Sequence, residues 1–334
     1  MKKVFSKLLT PIRNIVRYGR LARAYYYDCR HYYRYSISRG RSEKLKLISL
    51  IMIDTHIIEK GLTMPESRSG FGQERLKTLI ENINKYISLY RLGDDEVFHG
   101  ISVVKEYFSF HVDMKDTIEE ETYKSYKLLT HNQKVFDYAQ EVERSEQILT
   151  SAEDYFQNSG SNFFLFSSSR RSIRNYAKIA MSDKQIMNAL DLSRNTPSSC
   201  NRQAVRLHLY KNREKIADIL SIQGGNRGFG HLAQCLIVVT YEPAMYFESR
   251  ERYAGYVDGG MYCMNLLYAL HHEKVSSCIL NTSHTPEKDI TIRKVLNIPE
   301  SEVIVGMITC GVPTPDFKVA ISKRNSLSHF LTEH

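Results

Sequence analysis

The chain has 334 residues, of which 42 % are apolar, 11 % aromatic and 25 % charged, and its formal net charge is +9. This composition excludes a disordered polypeptide and leaves length enough for two domains with real cores. No stretch holds 18 uninterrupted apolar residues, so no spanning helix is expected, and Pro11 and Arg13 interrupt the apolar run after Lys7 in a way a secretory signal does not. The six cysteines (29, 200, 235, 263, 278 and 310) form no Cys-x-x-Cys pair, which points to free thiols in a reducing, cytoplasmic setting and away from a disulfide framework or a zinc site.

The charge surplus sits at the start. Residues 1–42 carry eleven Lys and Arg against Asp28 alone, leaving the remainder near neutrality. Val4, Leu8, Ile12, Ile15, Val16 and Leu21 share one broad helical face beside Arg13, Arg17, Arg20 and Arg23, with Pro11 expected to split the helix. Such a basic amphipathic arm suits docking on its own or a partner subunit. It also suits an anionic membrane surface, at about 1 kcal/mol per cation. Nucleic-acid phosphates, with the tyrosines stacking on bases, are the least favoured partner.

Residues 43–158 are rich in Glu, Lys, Leu, Ile and Tyr and predict an all-helical domain, with helices near 44–60, 73–92, 97–110 and 115–156, the last broken around Thr130. The phrase His56-Ile57-Ile58-Glu59-Lys60-Gly61 reads as a helix end closed by a left-handed glycine. His56 and Glu59 share a face but lack a third ligand, so a local contact is favoured over a metal.

Asn158 to Asn162 is a polar linker and the expected domain boundary. Residues 163–334 then alternate helices (from Ser182, with a capping box, to Arg194; 212–221; 258–273; 286–296) with strands (205–210, 236–241, 276–280 and 303–310), an α+β sandwich. The glycine loop from Gly224 to Gly230 follows no strand and is rejected as a dinucleotide cradle. No Walker motif, metalloprotease helix or Ser-His-Asp arrangement is present.

Two segments of this half carry chemistry. Ser169-Arg170-Arg171-Ser172-Ile173-Arg174 crowds three guanidinium forks around a hydroxyl, a match for phosphate oxygens. About twenty residues later, Pro197-Ser198-Ser199-Cys200-Asn201-Arg202-Gln203 sets hydroxyl and amide groups behind a rigid proline, suited to the hydrogen-bonding edge of a planar ring.

In this order the segments resemble the nitroreductase family of FMN-dependent oxidoreductases, over roughly residues 165–330. The resemblance implies a nitroreductase-like FMN-binding sandwich with a mixed central sheet. It implies a phosphate grip by Arg170, Arg171, Ser172 and Arg174, aided by Lys323 and Arg324 after Gly311-Val312-Pro313, and a ring edge met by Pro197, Ser198, Ser199, Asn201 and Asn226. It further implies NAD(P)H and a small organic acceptor as partners, ping-pong transfer with no dedicated acid or base, and an obligate homodimer built on the apolar helix that opens at Asp258. Ala204-Val205 and the segment from Cys278 to Ser283 depart from the family pattern and leave the substrate open. A non-catalytic flavin scaffold and a specialised flavin oxidase or dehydrogenase are the alternatives. The phrase from His56 to Gly61, with Gly70-Phe71-Gly72, is similar to a helical extension preceding nitroreductase-like domains of bacterial surface-polysaccharide clusters.

Overall fold

The computed structural model describes residues 2–35, 43–90, 93–112, 117–132, 135, 147–246 and 249–334. The arm is one helix, α1 (Lys2–Tyr35), running through Pro11 without a break. A proline removes one ladder hydrogen bond, which a helix of 34 residues tolerates. The arm docks on its own chain, where Asp28 accepts from Arg252 Nε and Nη2 at 2.6 and 2.8 Å.

Helices α2 (Glu43–Leu62), α3 (Gln73–Leu89), α4 (Asp95–Phe110) and α5 (Glu120–Thr130) form the helical region. Their apolar faces close one core around Ile51, Ile58, Leu79, Ile83, Val104, Tyr107 and Leu129. Gly61 is not a left-handed cap, because α2 continues to Leu62 and Gly61 has no positive φ. The glycine is needed for a different reason: a Cβ there would stand 2.1 Å from the Phe71 ring.

The long helix expected to reach residue 156 ends earlier. Residues 133–134 and 136–146 lie outside the described residues, and Ile148–Ser151 is a strand, β1, followed by the short helix α6 (Ala152–Phe156). β1 pairs antiparallel with β6 (Asp316–Val319), a partner that local sequence does not reveal. The polar segment after α6 is tied down, since Ser159 is buried and its carbonyl meets His272 Nδ1 at 3.0 Å.

Beyond α7 (Phe163–Ser169) and α8 (Asp183–Ser193), the sheet comprises β2 (Val205–Tyr210), β3 (Cys235–Tyr241), β4 (Ser276–Leu280) and β5 (Val303–Gly311), in the order β2-β3-β5-β4. All pairings among the described residues are antiparallel, where a mixed sheet was expected. Every residue of β3 is buried, and its side chains alternate between two cores. Leu236 and Val238 join α9 (Arg213–Gln223) and α11 (Pro286–Leu296), while Ile237 and Val239 join α8 and the long helix α10 (Ala254–His272). Helices therefore cover both faces of the sheet. Ser182 precedes α8 as expected, but its side chain makes no cap hydrogen bond, and Gln185 instead donates to Glu273 O at 2.7 Å.

At the end of α10, His271 is buried among Tyr155, Phe156 and Phe166, with Nε2 2.9 Å from Ser169 Oγ and no partner for Nδ1. Burial, then the charges of Arg170 and His272, push its pKa down to about 4. The unfolded imidazole titrates near 6.5, so the unfolded state binds the extra proton. His271 thus contributes stability in full above about pH 6.5, and the contribution is lost as pH falls toward 4, by roughly 3 kcal/mol in all.

Two outcomes are expected. Gly61→Ala lowers stability by about 1–3 kcal/mol through the clash with Phe71, read as a lower urea midpoint by circular dichroism. His271→Phe flattens the loss of urea stability between about pH 7 and pH 4.5; an unchanged pH slope removes His271 as its source.

Candidate functional site

The segment carrying the arginines leaves α7 at Arg170 and runs extended along the sheet, with Ile173 N donating to Ser277 O at 3.0 Å and Ala177 N to Val312 O at 2.8 Å. Extended backbone alternates its side chains. Ile173 enters the core, while Ser172 reaches the Cys278 thiol beside the Arg174 side chain. Arg174 is only 7 % exposed, its Nε has no hydrogen-bond partner, and its guanidinium carbon lies 6.0 Å from the centre of the Phe229 ring. Burial pushes the Cys278 thiol pKa up, against the pull of Arg174, Lys60 and Arg170. Arg171 turns back, donating to the carbonyls of Ser168 and Arg170, and its backbone N donates to Tyr155 OH at 3.0 Å.

The tail with Lys323 and Arg324 reaches the same end of the domain. Ser322 adopts φ 45°, a left-handed conformation costly for a residue with a Cβ, and its N–H donates to Glu59 Oε1 at 2.8 Å. Glu59 is 2 % exposed and also meets His99 Nε2 at 3.4 Å. Burial pushes its carboxyl pKa up, but the hydrogen bonds from His99 and Ser322 outweigh this and hold it below the ordinary range. The Glu59 of the sequence reading is therefore a clamp for the tail. Lys323 lies 3.9 Å from Asp95, and Arg324 stands close enough for its charge to weigh on Arg171. A cavity of 260 Å³ between α2, α4 and the tail is lined by His56, Glu59, Ser322, Lys323 and Arg324.

The last turns of α2 also reach this cluster, which sequence reasoning missed. Asn175 Nδ2 donates to Thr63 O at 3.2 Å, and Met64 packs on Gly228, which has φ +90°. Lys60, one turn before Met64, is half-buried in the field of Arg174 and Arg227. Among the described residues no carboxylate pairs with Arg170, Arg174, Lys60 or Arg227.

The ring-edge turn forms at the other end of α10. Pro197 is exposed, and Cys200, Asn201 and Gln203 all have φ near +50°. Ser198 Oγ accepts from Gln203 N at 3.0 Å, and Asn201 Oδ1 accepts from Gln203 Nε2 at 3.2 Å. Ser199 N and Oγ both donate to Asp258 at 3.0 Å, and Tyr246 OH donates to the same carboxylate at 2.8 Å. Asp258 is thus a structural anchor of the turn that the sequence offered only as a helix opening. Arg202 is held by Glu251 at 2.7 Å and Met245 O at 3.1 Å. Asn226 is not brought to this turn: its amide donates to Leu220 O at 2.6 Å and Gln223 Oε1 at 3.0 Å, closing the end of α9.

Between Asp258 at the turn and His271 at the arginine segment, α10 advances thirteen residues, roughly 20 Å. Within one chain the two predicted halves of the site are therefore far apart. Among the described residues no group of three His, Cys, Asp or Glu side chains is placed to hold a metal, and no helix is long and apolar enough to cross a membrane.

No curated protein matches the chain. Among solved structures, a nitroreductase-like protein of Desulfovibrio desulfuricans in complex with FMN is 21 % identical, with 52 % of this chain and 97 % of that one covered and a TM-score of 0.43. An FMN-dependent nitroreductase of Clostridium difficile R20291 is 19 % identical, over 44 % and 86 % of the two chains, with a TM-score of 0.40. A nitroreductase family protein of Clostridium novyi NT is 17 % identical, over 46 % and 86 %, with a TM-score of 0.40. The family model described as the nitroreductase family matches residues 168–224 and 220–312, from the arginine segment to the end of β5. Residues 168–312, most of the C-terminal half of this chain, thus match the nitroreductase family.

Proposed function

We propose that the chain binds FMN and, in a ping-pong sequence, uses NAD(P)H to reduce a small organic acceptor. The observation that carries this reading is the group of cations around Arg174, whose buried guanidinium has an unpartnered Nε and no counter-carboxylate among the described residues. An arginine stays protonated even when buried, so the cluster fits an anion supplied from outside the chain. Arg170, Ser172 and Arg174 would hold the flavin phosphate, with Arg171 bracing the segment and Lys323 and Arg324 approaching from the tail. Pro197, Ser198, Ser199 and Asn201 would meet the ring edge, and Asn226 would fix the neighbouring glycine loop. Bound there, FMN supplies the reversible two-electron chemistry that no side chain offers.

The roughly 20 Å between the two halves is bridged in this reading by a second copy. Val257, Met261 and Met264 form an exposed apolar stripe along α10, and Phe163 and Phe164 of α7 are 71 % and 78 % exposed. Two such helices packed antiparallel about a two-fold axis bring the turn of one protomer to the arginine segment of the other. Helix α1, with exposed Arg13, Arg17, Arg20 and Arg23 and exposed Ile15 and Tyr18, suits an anionic membrane surface at the cytoplasmic side.

Arg170→Ala is expected to lose FMN on purification, seen as a colourless protein with an unchanged circular dichroism spectrum; full retention of flavin rejects the phosphate assignment. Met264→Arg is expected to yield a monomer by light scattering and to lose FMN with it. A flavin-loaded monomer would place both halves of the site in one chain.

A further inference from the structure

The helical region has no part in the flavin site as set out above, yet the end of α2 lies against the arginine segment. Three contacts fix it there: Asn175 Nδ2 on Thr63 O at 3.2 Å, Met64 on Gly228, and Glu59 on the N–H of Ser322 at 2.8 Å. Between them stands Lys60, half-buried, without a carboxylate partner among the described residues. Burial first, then the charge of Arg174, push its ammonium pKa below the ordinary lysine range. Like charges gathered out of water repel, and they are held together at lower cost once an anion sits among them. Arg174, only 7 % exposed, has an Nε that no protein group satisfies, and so offers a donor to such an anion.

We infer that Lys60 is a binding residue for the flavin phosphate, contributed by the helical region and completing the grip of Arg170, Ser172 and Arg174. The inference rests on the FMN reading above and adds a consequence to it. A phosphate held from both sides ties α2 to the sandwich, so the helical region is part of the cofactor site and not an appendage. A lysine suits this place: its single ammonium on a flexible stem reaches an oxygen left over by the planar guanidinium forks.

The test is titration of the full-length chain, freed of flavin, with FMN and with riboflavin, followed by flavin fluorescence, for the wild type, Lys60→Gln, Lys60→Arg and Arg170→Ala. Removing one charge-assisted contact is expected to weaken FMN about tenfold or more in Lys60→Gln. Riboflavin binding should stay as in the wild type, and Lys60→Arg should keep most of the FMN affinity. As a second readout, inorganic phosphate should raise the melting temperature of the wild type by more than that of Lys60→Gln. If Arg170→Ala weakens FMN while Lys60→Gln binds it as the wild type does, the inference falls and the FMN reading stands. Equal weakening of FMN and riboflavin in Lys60→Gln also overturns it, because the phosphate is then not what Lys60 meets. A folded wild type that binds neither flavin overturns the FMN reading itself.

Discussion

The arrangement depends on a charge that cannot be discharged inside the protein. A buried lysine or histidine can release its proton, and His271 illustrates this with a pKa pushed down to about 4. The Arg174 guanidinium has no such exit at any physiological pH. Desolvating an ion costs several kcal/mol, and partial compensation comes from the Phe229 ring face at 6.0 Å. The surroundings must then be rigid enough to keep the site from collapsing into a different set of contacts. That rigidity is visible in the extended segment stitched to Ser277 and Val312, and in Asn175 bonded to the end of α2.

Glu59 plays the complementary part. It is a buried carboxylate one residue before Lys60, and a fold selected for stability alone would aim it at the arginines. Instead Oε1 is occupied by the Ser322 N–H and by His99 and Oε2 by the Ser322 hydroxyl, so Glu59 organises the tail without neutralising the cluster. Holding Ser322 in a left-handed conformation turns the chain so that Lys323 and Arg324 arrive at the cavity shared with His56. A stabilising ion pair is thus forgone at the cluster proposed to hold a phosphate, the kind of local inconsistency expected of a binding site.

How much of this was legible in the sequence follows from how local each signal was. The four strands of the central sheet and helices α8, α9 and α11 were readable because β-branched runs and periodic apolar residues lie within single segments. β1 was not, because its partner Asp316–Val319 comes from the far end of the chain, and a short Ile-Leu-Thr-Ser run has no pattern of its own. The antiparallel order was equally hidden, since strand direction is set by connections and not by composition. Arg170, Ser172 and Arg174 are close in sequence and were found together. Asp258 anchors Ser199 from 59 positions away and Lys60 faces Arg174 from the far half of the chain, and nothing adjacent distinguishes them from a helix opening and a helix end.

Helix α10 sets the geometry that local motifs cannot. One end holds Asp258, which receives Ser199 and Tyr246; the other holds His271 against Ser169, next to Arg170. Its position on the sheet is fixed by Gly259, where a Cβ would stand 2.7 Å from Val305, so the helix approaches β5 more closely than any larger residue permits. A rotation of α10 would therefore move the turn and the arginine segment together, preserving their separation while changing what each faces. Because Val257, Met261 and Met264 lie on the outward side of the same helix, any surface that covers this stripe also fixes where the two ends point. In the proposed dimer the hydrophobic contact that would hold two copies together is therefore also what would set their polar halves opposite each other.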